Sequence, residues 1–283
     1  MKIQIARIIQ TLIITTVLFS CTDVIDVDVP TGDPKLVVEA SIDWEKGTSG
    51  NQQRITLSTL TPYYSTQEQN EVIGANVVVE NLNTGDQFVF TDQNDGDYTT
   101  ETFIPVLNDE YSLTITYNDV VYMAQEKMTP VTDIVLIDQS IDGGFNSEEI
   151  EVNIHFHDPA NVDNYYFFKF NRIGDMLPTI EPMSDEFTDG NLMEESFEKE
   201  DDEDTDKKEE LKPGDLVQYE MYGISERYYN YMQILVNQLG SGGLFNGVPV
   251  ELKGNCMNAS NDKDFTLGYF RLTETIKGVY TVQ

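Results

Sequence analysis

Residues 111–125 read YSLTITYNDVVYMAQ, and this stretch sets the fold class. Leu113, Ile115 and Tyr117 recur at every second position, with threonines between them. That period puts the apolar side chains on one face of a strand and the threonines on the other. Asn118-Asp119 then falls between two β-prone runs, and a two-residue link of this kind favours a tight hairpin turn in which both central residues take positive φ. Residues 111–125 are therefore predicted to form an antiparallel hairpin with one buried face.

The same grammar extends outward in both directions. Strand-like runs fall at Lys35–Ile42, Arg54–Leu60, Ala75–Asn81, Gln87–Thr91 and Tyr98–Phe103, separated by Gly-, Asn- and Asp-rich turns. Short strands at this spacing read as a β-sandwich. The turn Asp92 to Asp97 superficially resembles a calcium loop. The EF-hand requires Gly at its sixth position and Glu at its twelfth, whereas Asp97 and Phe103 stand there. A tight turn with Gly96 at positive φ is the simpler expectation.

A second section starts near Thr129-Pro130. Glu149–Phe156 alternates, Asn164–Arg172 is an aromatic-rich strand, and Leu216–Tyr222 and Phe265–Leu272 are further strands. Residues 194–210 are so dense in acids that a solvated loop is expected there. One helix is predicted at 225–239. Ser225 is its cap, Tyr228, Tyr231, Met232, Leu235 and Leu239 its apolar face, and Gly240 its stop. The chain is thus expected to be mainly β. It would hold two β-sandwich domains, one immunoglobulin/transthyretin-like at 35–128 and one fibronectin-III-like within 129–283, with one amphipathic helix.

The N-terminus speaks of location. Lys2 and Arg7 precede Ile8–Phe19, a mostly apolar stretch of 12 residues. A bilayer span needs about 20 such residues, so this length suits a signal-peptide core instead. Leu18-Phe19-Ser20-Cys21 then resembles a bacterial lipobox, in which the cysteine thiol is alkylated by a diacylglycerol. Cleavage falls between Ser20 and Cys21, where the small serine fits the peptidase. Residues 1–20 are read as the signal peptide and 21–34 as a lipidated tether, with Cys21 held in the lipid bilayer.

Composition narrows the function. With 40% hydrophobic and 11% aromatic residues, the chain can build a real core. A balance of 17 basic against 50 acidic residues, net −33, repels phosphate backbones, so no nucleic-acid partner is expected. The remaining cysteine, Cys256, has no recognisable catalytic surroundings and reads as a buried thiol. His155 and His157, at i and i+2 of one strand, share a face and are weak candidates for a metal pair that lacks further ligands. No nucleophile elbow, phosphate loop or dinucleotide fingerprint occurs. No catalytic residue, metal or cofactor is assigned.

Residues Val24 to Pro30 and Pro34 to Ala40, followed by Ile55-Thr56-Leu57-Ser58 and Gly74 to Val79, resemble the Bacteroidota lipoproteins catalogued as domain of unknown function 4249. The resemblance continues through Asp95 to Tyr98, Tyr111 to Ile115, Gly214 to Val217, Tyr228 to Tyr231 and Leu267 to Phe270. Gly74 to Tyr98 also looks like the transthyretin-like or carboxypeptidase-regulatory sandwich. The likeness implies a non-enzymatic outer-membrane lipoprotein, accessory to a TonB-dependent β-barrel transporter, with the cell surface as its expected side. Two other readings stand beside it: a surface adhesin or glycan-binding module using the aromatics among Tyr165 to Phe170, and a hydrolase with an unrecognised carboxylate site.

Overall fold

The computed structural model describes residues 35–60, 70–141, 149–199, 210–239 and 250–283. Ser20, Cys21 and Gly240 lie outside the described residues, as do the leader, the tether and part of the acidic segment. The hairpin that opened the sequence reading is present as β7 (Glu110–Tyr117) and β8 (Val120–Thr129), paired from Glu110–Lys127 to Tyr117–Val120. Asn118 and Asp119 have φ of 49° and 63°, the positive values that this turn demands.

Before this hairpin come β1 (Leu36–Glu45), β2 (Gln53–Thr59), the short β3 (Asn70–Glu71), β4 (Asn76–Asn81), β5 (Gln87–Asp92) and β6 (Asp97–Thr100). The turn before β6 is the tight one expected, with Gly96 at φ 86°. Its geometry is fixed by Asp92, whose Oδ1 accepts the Asn94 amide at 2.7 Å. After the hairpin come β9 (Ile134–Ser140), β10 (Glu151–His157), β11 (Tyr165–Arg172), β12 (Thr179–Ser184), β13 (Leu192–Glu198) and β14 (Leu216–Ile224). Then follow α1 (Glu226–Leu239), β15 (Met257–Asn258), β16 (Asn261–Phe265) and the long β17 (Leu267–Thr281).

The protein is mainly β, and β17 organises it. Its first part runs parallel to β1, from Val37–Leu267 to Glu45–Thr275, and touches β8 at Leu272–Met128 and Thr273–Thr129. These contacts close the strand order β17-β1-β2-β6-β5-β4-β7-β8 into a ring, joined at β5–β6 and at β8–β17 by two residue pairs each. The ring encloses one core, including Val38, Ile42, Ile55, Leu57, Tyr98, Tyr111, Leu113, Ile115 and Phe270. The second part of β17 runs antiparallel to β14, from Tyr222–Thr275 to Leu216–Thr281. There it joins the sheet β12-β11-β14-β17, which faces the three-stranded sheet β13-β10-β9. These seven strands, divided four and three, form a second sandwich. Its core holds Val152, Ile154, Phe156, Tyr166, Phe168, Phe170 and Val217.

The boundary expected at 128/129 is therefore crossed by later chain. Phe270, Leu272 and Cys256 belong to the first core, and β15 adds to β8 through Met257–Met123. All described residues fall within one compact unit. The final strand, expected at Phe265–Leu272, runs on through Thr273-Glu274-Thr275 to Thr281. All three of these residues are buried where the sandwiches meet, and each polar group finds a partner. The Thr273 hydroxyl donates to the Gly223 carbonyl, Thr275 donates to the Met221 carbonyl at 3.0 Å, and Glu274 Oε2 accepts the Val131 amide at 3.1 Å.

The acidic stretch also differs from expectation. Residues 194–198 belong to β13, because Met193 and Phe197 alternate into the second core. Glu195 lies between them on the same inward face. Burial, and after it the charge of Glu181, pushes its carboxyl up to about 8 from 4.5. Folding therefore favours the protonated acid. That contribution is present below the ordinary carboxylate range and is lost as pH rises through about 8. Glu195→Gln, which stays neutral, is expected to melt near the wild-type temperature at about pH 5 and above it at about pH 9. Thermal melts at the two pH values check this; an equal wild-type advantage at both would contradict it.

The helix matches its prediction closely. The Ser225 hydroxyl accepts the Tyr228 amide at 3.2 Å, and Tyr228 and Met232 are buried. Tyr231 and Leu235 pack beside them against Phe167, Tyr222, Ile224 and Tyr269, whereas Leu239 is exposed. α1 thus covers part of the four-stranded sheet on the face opposite the second core.

Candidate functional site

Cys256 is buried, and burial pushes its thiol up to about 12. A thiol that stays protonated at neutral pH is a poor nucleophile, so Cys256 acts as a core residue.

On β10, His155 sits half-buried between two carboxylates. His155 Nε2 lies 2.9 Å from Asp138 Oδ1 on β9, and His155 Nδ1 lies 3.1 Å from Glu194 Oε2 on β13. The ring therefore bridges both neighbours of β10. Ser140, on the same face, donates to Glu151 and accepts from Asn153 Nδ2 at 2.8 Å. Serine, histidine and aspartate types thus share one sheet face without the nucleophile-to-base hydrogen bond that triad chemistry needs. His157 is exposed, and the group of three metal-capable side chains among the described residues contains neither histidine.

That group is Asp158, Asp185 and Asp189, whose ligand atoms lie within 4.8 Å of one another. It joins the turn after β10 to the turn after β12, and no sequence spacing announces it. Hard oxygens of this kind suit calcium chemically, but the carboxylates already have donors. Asp158 accepts the Tyr166 hydroxyl at 2.6 Å and the Gly190 amide at 2.9 Å, Asp185 accepts the Asn164 amide at 2.9 Å, and Asp189 accepts the Asn161 amide at 2.8 Å. Burial, with Asp158 close by, raises the Asp185 carboxyl above its ordinary value. These bonds tie the loops together. Tyr166→Phe removes one donor from the buried Asp158 and is expected to cost about 1–3 kcal/mol of stability, read as a lower denaturant midpoint with unchanged slope.

The aromatic strand is core. Tyr166, Phe168 and Phe170 fill the second sandwich, while Phe167 packs under α1. Buried rings offer no stacking platform to a sugar, so of the aromatics on which the glycan reading rested only the partly buried Tyr165 reaches the surface.

A clamp that sequence reasoning missed lies at the junction. Glu126 on β8 is buried, and its Oε1 meets Arg227 Nη2 of α1 at 3.0 Å, the Tyr269 hydroxyl at 3.1 Å and Asn255 Nδ2 at 3.4 Å. Burial raises the Glu126 carboxyl and Arg227 opposes the rise. Arg227 also donates to the Gln125 carbonyl at 2.6 Å. Nearby, a side chain at Gly223 would place its Cβ 1.8 Å from the Pro130 carbonyl oxygen, so glycine is what lets the connecting chain cross β14. The helix is thereby pinned to the first sandwich while it covers the second.

Two β-sandwiches sharing one strand, clamped by a helix and held by polar ties between strands, define a mainly β protein. The chain belongs to the family described as "Domain of unknown function (DUF4249)", which matches residues 22–275. Among solved structures it is similar to a segment of two fibronectin type-III domains from chicken tenascin, with 10% identity, 68% of this chain and 91% of that chain covered, and a TM-score of 0.21. It is also similar to the chicken interferon gamma receptor alpha chain, with 10% identity, 69% and 90% covered, and a TM-score of 0.20. No curated protein matches. Among the described residues, no helix is long and apolar enough to cross a membrane.

Proposed function

We propose that the chain is a lipid-anchored, non-enzymatic accessory protein of an outer-membrane TonB-dependent β-barrel transporter, acting in ligand capture or complex assembly at the cell surface. The observation that carries this reading is the run Leu18 to Cys21 behind a short apolar core, whose resemblance to a lipobox supports an acylated cysteine at the start of the mature chain. Two chains on such a cysteine hold a protein at a bilayer durably, since each buried methylene adds about 0.8 kcal/mol. The body supports the same reading. Its sandwiches are welded through β17, so a force or contact at one is transmitted to the other. Its hydrogen-bonded side-chain groups tie strands and loops together, in keeping with a binding or assembly role rather than catalysis.

The test is affinity capture of a C-terminally tagged chain from detergent-solubilised outer membranes after brief crosslinking. A β-barrel transporter is expected with the wild-type chain and is expected to be lost with Cys21→Ser, which leaves the body unanchored. Repeated capture without any barrel partner would overturn the proposal.

A further inference from the structure

The face of the four-stranded sheet next to α1 carries a row of charged side chains. Lys169 on β11 stands opposite Glu220 on β14, which stands opposite Lys277 on β17. Beside this row Tyr222 is fully buried, and three cations surround its ring. The Arg271 guanidinium carbon is 4.8 Å from the ring centroid, Lys169 Nζ 5.1 Å and Lys277 Nζ 6.0 Å. Lys169 Nζ is also 5.7 Å from the centre of the Phe167 ring.

Two carboxylates face these three cations, and both are taken. Asp43 receives Arg271, with Nη1 at 2.9 Å from Oδ1 and Nη2 at 3.3 Å from Oδ2. Glu220 receives the Tyr222 hydroxyl and lies 3.6 Å from Lys277 Nζ. Lys169 is half-buried and, among the described residues, has neither a hydrogen bond nor an ion pair. Ring faces offset only part of the cost of desolvating an ammonium. Burial, followed by the charge of Arg271, lowers the Lys169 pKa, the direction expected of an ammonium short of counter-charge. The charges of Asp43 and Glu220 oppose this fall, yet among the described residues neither forms an ion pair with Lys169.

We propose that Lys169 and Lys277, beside the buried Arg271 and Tyr222, form a binding site for a small ligand bearing an oxyanion, either a carboxylate or a phosphate. Lys169 supplies the donor that has no internal acceptor. Lys277 closes the other side from the exposed rim, and Arg271 adds positive potential from below without leaving Asp43. The site stands independently of the anchored, transporter-linked role.

The test follows the lysine signals of the whole soluble body by NMR after reductive ¹³C-methylation, with inorganic phosphate and acetate as separate probes. Sodium chloride at matched ionic strength is the reference. Lys169→Arg removes one resonance and thereby assigns it. That resonance is expected to move saturably with at least one probe and not with chloride, and the probe that moves it identifies the oxyanion class. Lys169→Met is expected to weaken binding of that probe roughly tenfold, the loss of one charge-assisted hydrogen bond, read from the remaining Lys277 signal. Should Lys169→Met fail to fold, the wild-type titration decides by itself. A Lys169 resonance that ignores both probes, or follows chloride equally, would overturn the proposal.

Discussion

Gly268→Ala is expected to destabilise the protein by about 4 kcal/mol, through two costs that add. Gly268 has φ of +77°, and an alanine held in that left-handed region costs about 1–2 kcal/mol. A Cβ there would also lie 2.2 Å from the Val38 carbonyl oxygen and 2.8 Å from its carbon. Both belong to β1 and cannot swing aside as a side-chain tip would, so relief requires shifting the β1–β17 pairing, at a further cost of about 1–3 kcal/mol. The pairing continues to Glu45–Thr275, so a shift at Gly268 disturbs the strand both sandwiches share. Trp44, the single tryptophan, sits on β1 and reports the transition by fluorescence in urea. Gly47→Ala is the control, because its φ of +88° carries the same strain while its Cβ would meet nothing within 4 Å. A large loss at Gly268 and a small one at Gly47 are expected. Equal losses would mean that close strand approach contributes nothing.

The second large effect is expected at Asp43. Arg271 is only 4% exposed, and Asp43 is its carboxylate partner. Breaking a buried pair from one side strands the other charge, which costs about 3–5 kcal/mol. Asp43→Ala is therefore expected near the lower end, since the Asp43 side chain is 25% exposed. Arg271→Met combined with Asp43→Ala should recover much of that loss, because an apolar pair of similar volume pays no desolvation. Urea midpoints for both single variants and the double variant complete the cycle. A double variant as unstable as the sum of the singles would show that the two residues act separately.

How far the sequence reached can be judged from particular residues. The β7–β8 hairpin was legible because Leu113, Ile115 and Tyr117 alternate cleanly and Asn118-Asp119 suits only a few turn geometries. The helix was legible from Ser225 and the spacing of Tyr228, Tyr231, Met232 and Leu235. The run from Tyr165 to Phe170 read as a strand, yet its purpose did not. It carries aromatic rings on both faces because one packs into the second core and the other lies partly beneath α1. β13 was hidden by acids, since the inward alternation of Met193 and Phe197 is interrupted by Glu195, a carboxyl at a core-facing position. The end of β17 was hidden in the opposite way, because Thr273, Glu274 and Thr275 look like surface and are buried among carbonyls and an amide. Neither the Asp158–Asp185–Asp189 group nor the row of Lys169, Glu220 and Lys277 has any signature in linear spacing. Each is assembled by strand register and turns far apart in the chain.

The most direct test of a lipid-anchored body is intact-mass and N-terminal peptide analysis of the protein recovered from the membrane fraction. A mature chain beginning at Cys21, with that cysteine carrying diacylglycerol and the preceding 20 residues absent, is the expected result. A released chain that keeps residues 1–20, or that begins elsewhere with Cys21 unmodified, would contradict it.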